Sequence, residues 1–145
     1  PSTELAPLEA LVGEWSVEAI APWVPSELRG KTVFEWMTGG TFLLQRWEVP
    51  VPEAPDGLAV IGLDGSGPAY LQHYFDSRGV ERVYEMTLAG GVWKLWRSAS
   101  APDFSQRFTG TLDPAGDTIS GAWGLSHDGS TWEHDFDLRY TRVSR

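Results

Sequence analysis

Few side chains in this sequence combine useful chemistry with a position that would let them use it. His134 lies between Trp132 and Phe136 in the run from Thr131 to Arg142. Strict alternation there would put Trp132, His134, Phe136, Leu138 and Tyr140 on one face, and Glu133, Asp135, Asp137, Arg139 and Thr141 on the other. An imidazole on an apolar face must find a partner. It could hydrogen-bond a ligand, take an axial position on haem or act as a general base. The plainer reading, and the commoner one, is a core histidine bonded to Gln106, Tyr84 or a buried water. His73 is ambiguous, because Leu71, His73 and Phe75 compete with Tyr70, Gln72 and Tyr74 for the inward side.

Polar residues inside otherwise apolar runs form a second set. Gln106 is in register with Phe104 and Phe108, and Arg46, Arg82 and Arg97 each stand among aromatic or aliphatic neighbours. A guanidinium inside a barrel requires an anion, since a desolvated unpaired charge is costly. On the outside, these arginines would pair across strands with Glu48, Glu81 or Glu85. Asp135 and Asp137 read as a solvated exterior face and not as an acid/base pair. Asp64-Gly65-Ser66-Gly67 and Asp128-Gly129-Ser130 read as hairpin turns, since neither has the helix or acidic ligand that a phosphate or calcium loop needs.

Strands must position these residues. Alternating or apolar runs are predicted over 13–19, 31–38, 41–49, 57–63, 69–75, 80–88, 92–98, 104–112, 118–125 and 131–142, with Gly, Pro and Asp punctuation between them. Ten strands joined by tight turns make an antiparallel meander, and closure removes both edges. The expected fold is all-β: a single ten-stranded antiparallel up-and-down barrel spanning residues 1–145 as one domain. Pro7 to Leu11 adds a short N-terminal helical turn able to plug one end.

Composition narrows the function classes. The net charge is −9, with 11 scattered basic residues, which argues against nucleic acid and an anionic membrane surface. There is no cysteine, hence no disulfide or thiolate site. No apolar run approaches the length of a membrane span, no signal peptide is visible, and a cytoplasmic protein, monomeric or homodimeric, is expected. Eight tryptophans suit a core of large aromatics, a wide aromatic cavity, or both.

Gly13-Glu14-Trp15 opening the first strand is similar to the Gly-x-Trp signature of the calycins, the lipocalin and fatty-acid-binding-protein superfamily. Over nearly its whole length the chain also resembles a bacterial lipocalin-like family of unknown function. Phe34-Glu35-Trp36, the segment from His73 to Val80 and Phe104-Ser105-Gln106-Arg107-Phe108 carry that likeness. The resemblance implies a basic residue of the last strand, Arg142 or Arg139, packed over Trp15. Ten strands match fatty-acid-binding proteins and haem-binding nitrobindins, whereas lipocalins have eight. In fatty-acid-binding proteins internal Arg and Tyr side chains hold a carboxylate.

The expected function is therefore non-covalent binding of a small, mostly apolar or amphipathic molecule, with no residue assigned a catalytic or metal-binding role. The candidate ligand-binding residues from the aromatic set are Trp36, Tyr84, Phe108, Trp123, Trp132 and Phe136. Those from the polar set are His73, Arg82, Gln106 and His134. The competing readings are a haem-binding barrel of the nitrobindin kind, with haem as its cofactor, and a cavity isomerase or cyclase working through His134.

Overall fold

The computed structural model describes residues 3–24, 28–52, 54–65 and 69–145. A 3-10 helix, Ala6–Leu11, precedes ten strands. They are β1 (Gly13–Ile20), β2 (Arg29–Trp36), β3 (Leu43–Glu48), β4 (Gly57–Leu63) and β5 (Tyr70–Asp76), followed by β6 (Glu81–Ala89), β7 (Val92–Arg97), β8 (Ser105–Leu112), β9 (Thr118–Ser126) and β10 (Glu133–Ser144). Each strand pairs antiparallel with its sequence neighbour, and β10 returns to β1, so the sheet closes as an up-and-down barrel without an edge. The predicted strands differ from the observed ones by a residue or two at most ends. The expected turn at 64–67 lies partly outside the described residues, as does Pro25 of the predicted break after β1. No helix among the described residues is long and apolar enough to cross a membrane.

Glycine decides two local features. Gly90 and Gly91 alone connect β6 to β7, and both adopt positive φ, 60° and 75°. A two-residue turn of matching twist needs that backbone at both positions. Inside the barrel the Phe108 ring reaches Gly121, where an added Cβ would come within 2.5 Å of its Cε1 and Cζ.

One end of the barrel is filled and the other is hollow. Leu5, Leu8 and Leu11 from the helical segment are buried in the closed end beside Trp15, Phe34 and Met86. Trp15 is fully buried and donates its indole N–H to the Leu11 carbonyl at 2.8 Å. Arg142, directly across from Trp15 in the β1–β10 ladder, lays its guanidinium 4.2 Å from the indole centroid. The same guanidinium donates to the carbonyls of Val12 (2.6 Å), Ala10 (2.8 Å) and Gly116 (3.0 Å). Arg142, and not the exposed Arg139, therefore seals the floor by joining the helix, β10 and the β8–β9 turn.

The last strand departs from its predicted parity. Glu133 and His134 pair with Leu125 and Gly124, but Phe136 pairs with Trp123, so Asp135 is an extra residue on β10. Such a β-bulge flips the facing of everything upstream of it. Phe136, Leu138 and Tyr140 point inward as the pattern requires, whereas His134 lies outside with 60% of its side chain exposed, bonded to Asp137 Oδ1 at 2.8 Å. Trp132 also lies outside, covered by the Arg107 guanidinium 4.1 Å above its ring. Asp135, expected on the solvated face, borders the interior instead.

Candidate functional site

The hollow half encloses a cavity of about 640 Å³ that opens toward the end formed by the β1–β2, β3–β4, β5–β6, β7–β8 and β9–β10 connections. Its wall is a nearly continuous arc of rings. Trp47 stacks on Tyr74 at 5.3 Å, Tyr74 meets Tyr84 edge-on at 6.1 Å, and Tyr84 meets Trp123 at 5.7 Å. The arc continues through Phe108 (5.2 Å from Trp123), Trp93 (5.0 Å from Phe108) and Tyr140 (5.8 Å from Trp93), ending over Trp15 at 6.3 Å. Alternation on each strand aims these side chains inward, and edge-to-face contacts of this kind add to plain area burial.

Polar groups gather near the mouth around one amide. Gln106 Oε1 accepts from the Tyr84 hydroxyl at 2.7 Å, from Arg97 Nε at 2.8 Å and, more weakly, from Arg82 Nη1 at 3.5 Å. Arg97 also grips both carboxylate oxygens of Asp103, at 3.1 and 3.2 Å. That contact, with the Phe104 backbone N–H, holds the Asp103 carboxyl down at about 2. Both guanidiniums also lie over the Phe104 ring, that of Arg82 at 5.3 Å and that of Arg97 at 5.0 Å from its centroid. Arg82 has no carboxylate within ion-pair distance among the described residues. Burial raises the Tyr84 hydroxyl above the ordinary phenol range, so it stays a neutral donor.

Further round the rim, the Asp76 carboxylate accepts from Arg78 Nη2 at 2.6 Å and from the Tyr74 hydroxyl at 2.5 Å. Its pKa is held well below the usual range, chiefly by Arg78. Deeper on the wall, Gln72 Nε2 donates to Gln45 Oε1 at 2.9 Å. The Asp135 carboxylate has no hydrogen-bond partner among the described residues. Burial raises its pKa, the Glu133 charge adds to the rise, and His134 opposes it.

The structure brings Arg82, Tyr84, Gln106, Phe108, Trp123 and Phe136 of the sequence-based set together on the cavity wall. It does not bring the other four there. His134 and Trp132 are excluded by the bulge. His73 is exposed on the outer face of β5, between Val60 and Val83, because Gln72 and Tyr74 take the inward side. Trp36 sits at the closed end, donating its indole N–H to Glu9 Oε2 of the 3-10 helix at 2.6 Å. Of the arginines, Arg97 faces the interior, while Arg46 lies outside, paired with Glu35.

Sequence reasoning missed Trp47, Tyr74, Gln45, Gln72 and Asp135. β3 carries apolar residues on both faces, so its parity was open, and Gln45 and Trp47 are inward only because Phe34 and Thr32 across from them are. The remaining histidine, His127, is exposed in the β9–β10 connection against Phe104, so none of the three histidines faces the cavity. The residues present therefore do not supply an imidazole for axial haem ligation or for a base inside the barrel. Among the described residues no group of three or more His, Asp or Glu is arranged to hold a metal ion.

No family model and no curated protein matches the chain. Among solved structures it is similar to the crystal structure of Rv2717c from M. tuberculosis, with a TM-score of 0.65. The match covers 97% of this chain and 98% of that one at 16% identity, which is a likeness of fold.

Proposed function

We propose that the barrel binds, without covalent chemistry, a small molecule that is mostly apolar or amphipathic. The observation that carries this reading is the cavity itself: about 640 Å³, walled by aromatic rings, with a few polar groups gathered at its mouth. Ligand pockets typically have this size and composition. The guanidinium of Arg82, without a carboxylate of its own, suits the polar head of an amphipathic ligand. Membership of the calycin superfamily belongs to the same proposal, supported by the ten-stranded closure and by Arg142 packed over Trp15. So does a cytoplasmic setting, supported by the absence of cysteine.

The test is a titration with the apolar dye N-phenyl-1-naphthylamine, alongside native mass spectrometry and extraction of whatever co-purifies. Saturable binding at one dye per chain, with quenching of tryptophan emission, is expected. A dye signal that rises linearly without saturation, from a protein that carries no extractable compound, would refute the proposal.

A further inference from the structure

The inner wall carries a polar pair that the cluster around Gln106 does not use. Gln45 and Gln72 are 6% and 4% exposed, and both line the cavity. They stand on β3 and β5, with β4 between them. On β4 the residue opposite Gln45 is Ala59 and the one opposite Gln72 is Ile61, so the two amides meet diagonally across that strand. Which amide donates in that contact is interchangeable, because the oxygen and nitrogen of either side chain can be exchanged. What remains unspent is the same either way: one amide carbonyl and the N–H groups of the other amide. Neither has a further partner among the described residues. Thr32, 3% exposed, lines the same part of the wall from β2, and its hydroxyl is likewise unpartnered.

These groups border the cavity, and an occupant that covered them without bonding them would leave them desolvated, so this wall favours one that both donates and accepts. A charged occupant is disfavoured there. The arginines gather toward the mouth, Arg78 with Asp76, Arg97 with Asp103 and Gln106, and Arg82 with Gln106 and Phe104, and among the described residues none is bonded to Gln45 or Gln72. We propose that Gln45 and Gln72 form a subsite for a neutral amide-like group, a carboxamide or lactam, on a ligand whose apolar body rests against the ring wall. This inference rests on the ligand-binding reading above and names the class of ligand.

The experiment displaces N-phenyl-1-naphthylamine with naphthalenes of matched size. They are 2-naphthamide (donor and acceptor), 2-acetylnaphthalene (acceptor only), 2-isopropylnaphthalene (neither) and 2-naphthoate (anion). Each is measured on the native chain and on Gln45→Met, Gln72→Met and the double variant. Two neutral hydrogen bonds correspond to about a tenfold change in Kd. The double variant should therefore bind the amide about tenfold more weakly, bind the ketone somewhat more weakly, and hold the hydrocarbon as well as before or better. Equal changes for amide and hydrocarbon, or the largest loss for the naphthoate, would overturn the subsite.

Retained dye binding shows that a variant is folded. Should the variants fail to fold, nitrogen-15 spectra of the native chain decide instead. The Gln45 and Gln72 side-chain amide signals must shift with 2-naphthamide and stay still with 2-isopropylnaphthalene; the reverse pattern overturns the proposal. Failure of the dye to bind the native chain at all would instead count against the ligand-binding reading.

Discussion

Replacing Arg142 with Met tests what holds the closed end of the barrel. Methionine keeps most of the aliphatic packing and deletes the guanidinium, whose side chain is only 6% exposed. Three carbonyls, those of Ala10, Val12 and Gly116, lose their donor, and the Trp15 ring loses the cation 4.2 Å from its centroid. A hydrogen bond to a charged group contributes roughly 1.5–3 kcal/mol, and a desolvated cation over an indole about 2. These terms share one side chain and do not add fully, and the Ala10 carbonyl can turn to water. A loss of about 3–5 kcal/mol is expected, which for a domain of this size lowers Tm by roughly 10–15 °C. The assay is urea unfolding followed by circular dichroism and tryptophan emission, with limited proteolysis reporting release of the segment before Gly13. Arg139→Met is the control, since that side chain is exposed and takes no part in the floor. If Arg142→Met fell within about 1 kcal/mol of the control, the guanidinium would not be sealing the floor and the reasoning would be wrong.

Three further outcomes follow from the same geometry. His134→Phe should change stability by less than about 0.5 kcal/mol and leave dye affinity unaltered, because the imidazole lies outside; a clear loss of binding would put it back in the cavity. Carbon-13 titration of Asp103 should show a midpoint at about 2, moving up toward the ordinary carboxylate value in Arg97→Met. Because the folded value is depressed, the stability it contributes is present above the ordinary pKa and is lost as the pH falls through the folded one, so the gap between the native and Arg97→Met proteins should narrow in strong acid to what the Gln106 and Phe104 contacts contribute. Asp135 has the opposite sign: its folded pKa is raised, so its contribution is present in acid and lost as the pH rises through the folded value. Asp135→Asn should therefore raise Tm at neutral pH by an amount that fades in acid, and should tighten binding of the apolar dye; a lower Tm at pH 7 would count against a desolvated carboxylate.

Alternation and punctuation determined much of this protein. Ten alternating or apolar runs, separated by Gly, Pro and Asp, leave a chain of 145 residues little alternative to a closed meander. Four cavity residues, Tyr84, Gln106, Phe108 and Trp123, were legible for the same reason, since each shares a parity with neighbours that only an interior can accept, whereas the facing of Arg82 was open. The Trp15 floor was an implication of the family resemblance, and tertiary pairing then chose Arg142 over Arg139 by placing it opposite the indole. The last strand shows where the pattern stops deciding. Trp132 and Phe136 are both large, apolar and in phase, so residue types cannot reveal that Asp135 is inserted between two paired registers. A bulge depends on how β10 meets β9 at the rim, and the Arg107 cover makes an outward Trp132 acceptable. That one extra residue moves His134 from the cavity to solvent and brings a carboxylate to the cavity in its place. The Gln45–Gln72 contact is of the same kind: it spans 27 residues and exists because β3 and β5 flank β4 in a register that places the two glutamines diagonally across it. Period-two patterning specifies which side of a strand is buried, but only the closed sheet sets which side chains meet across it.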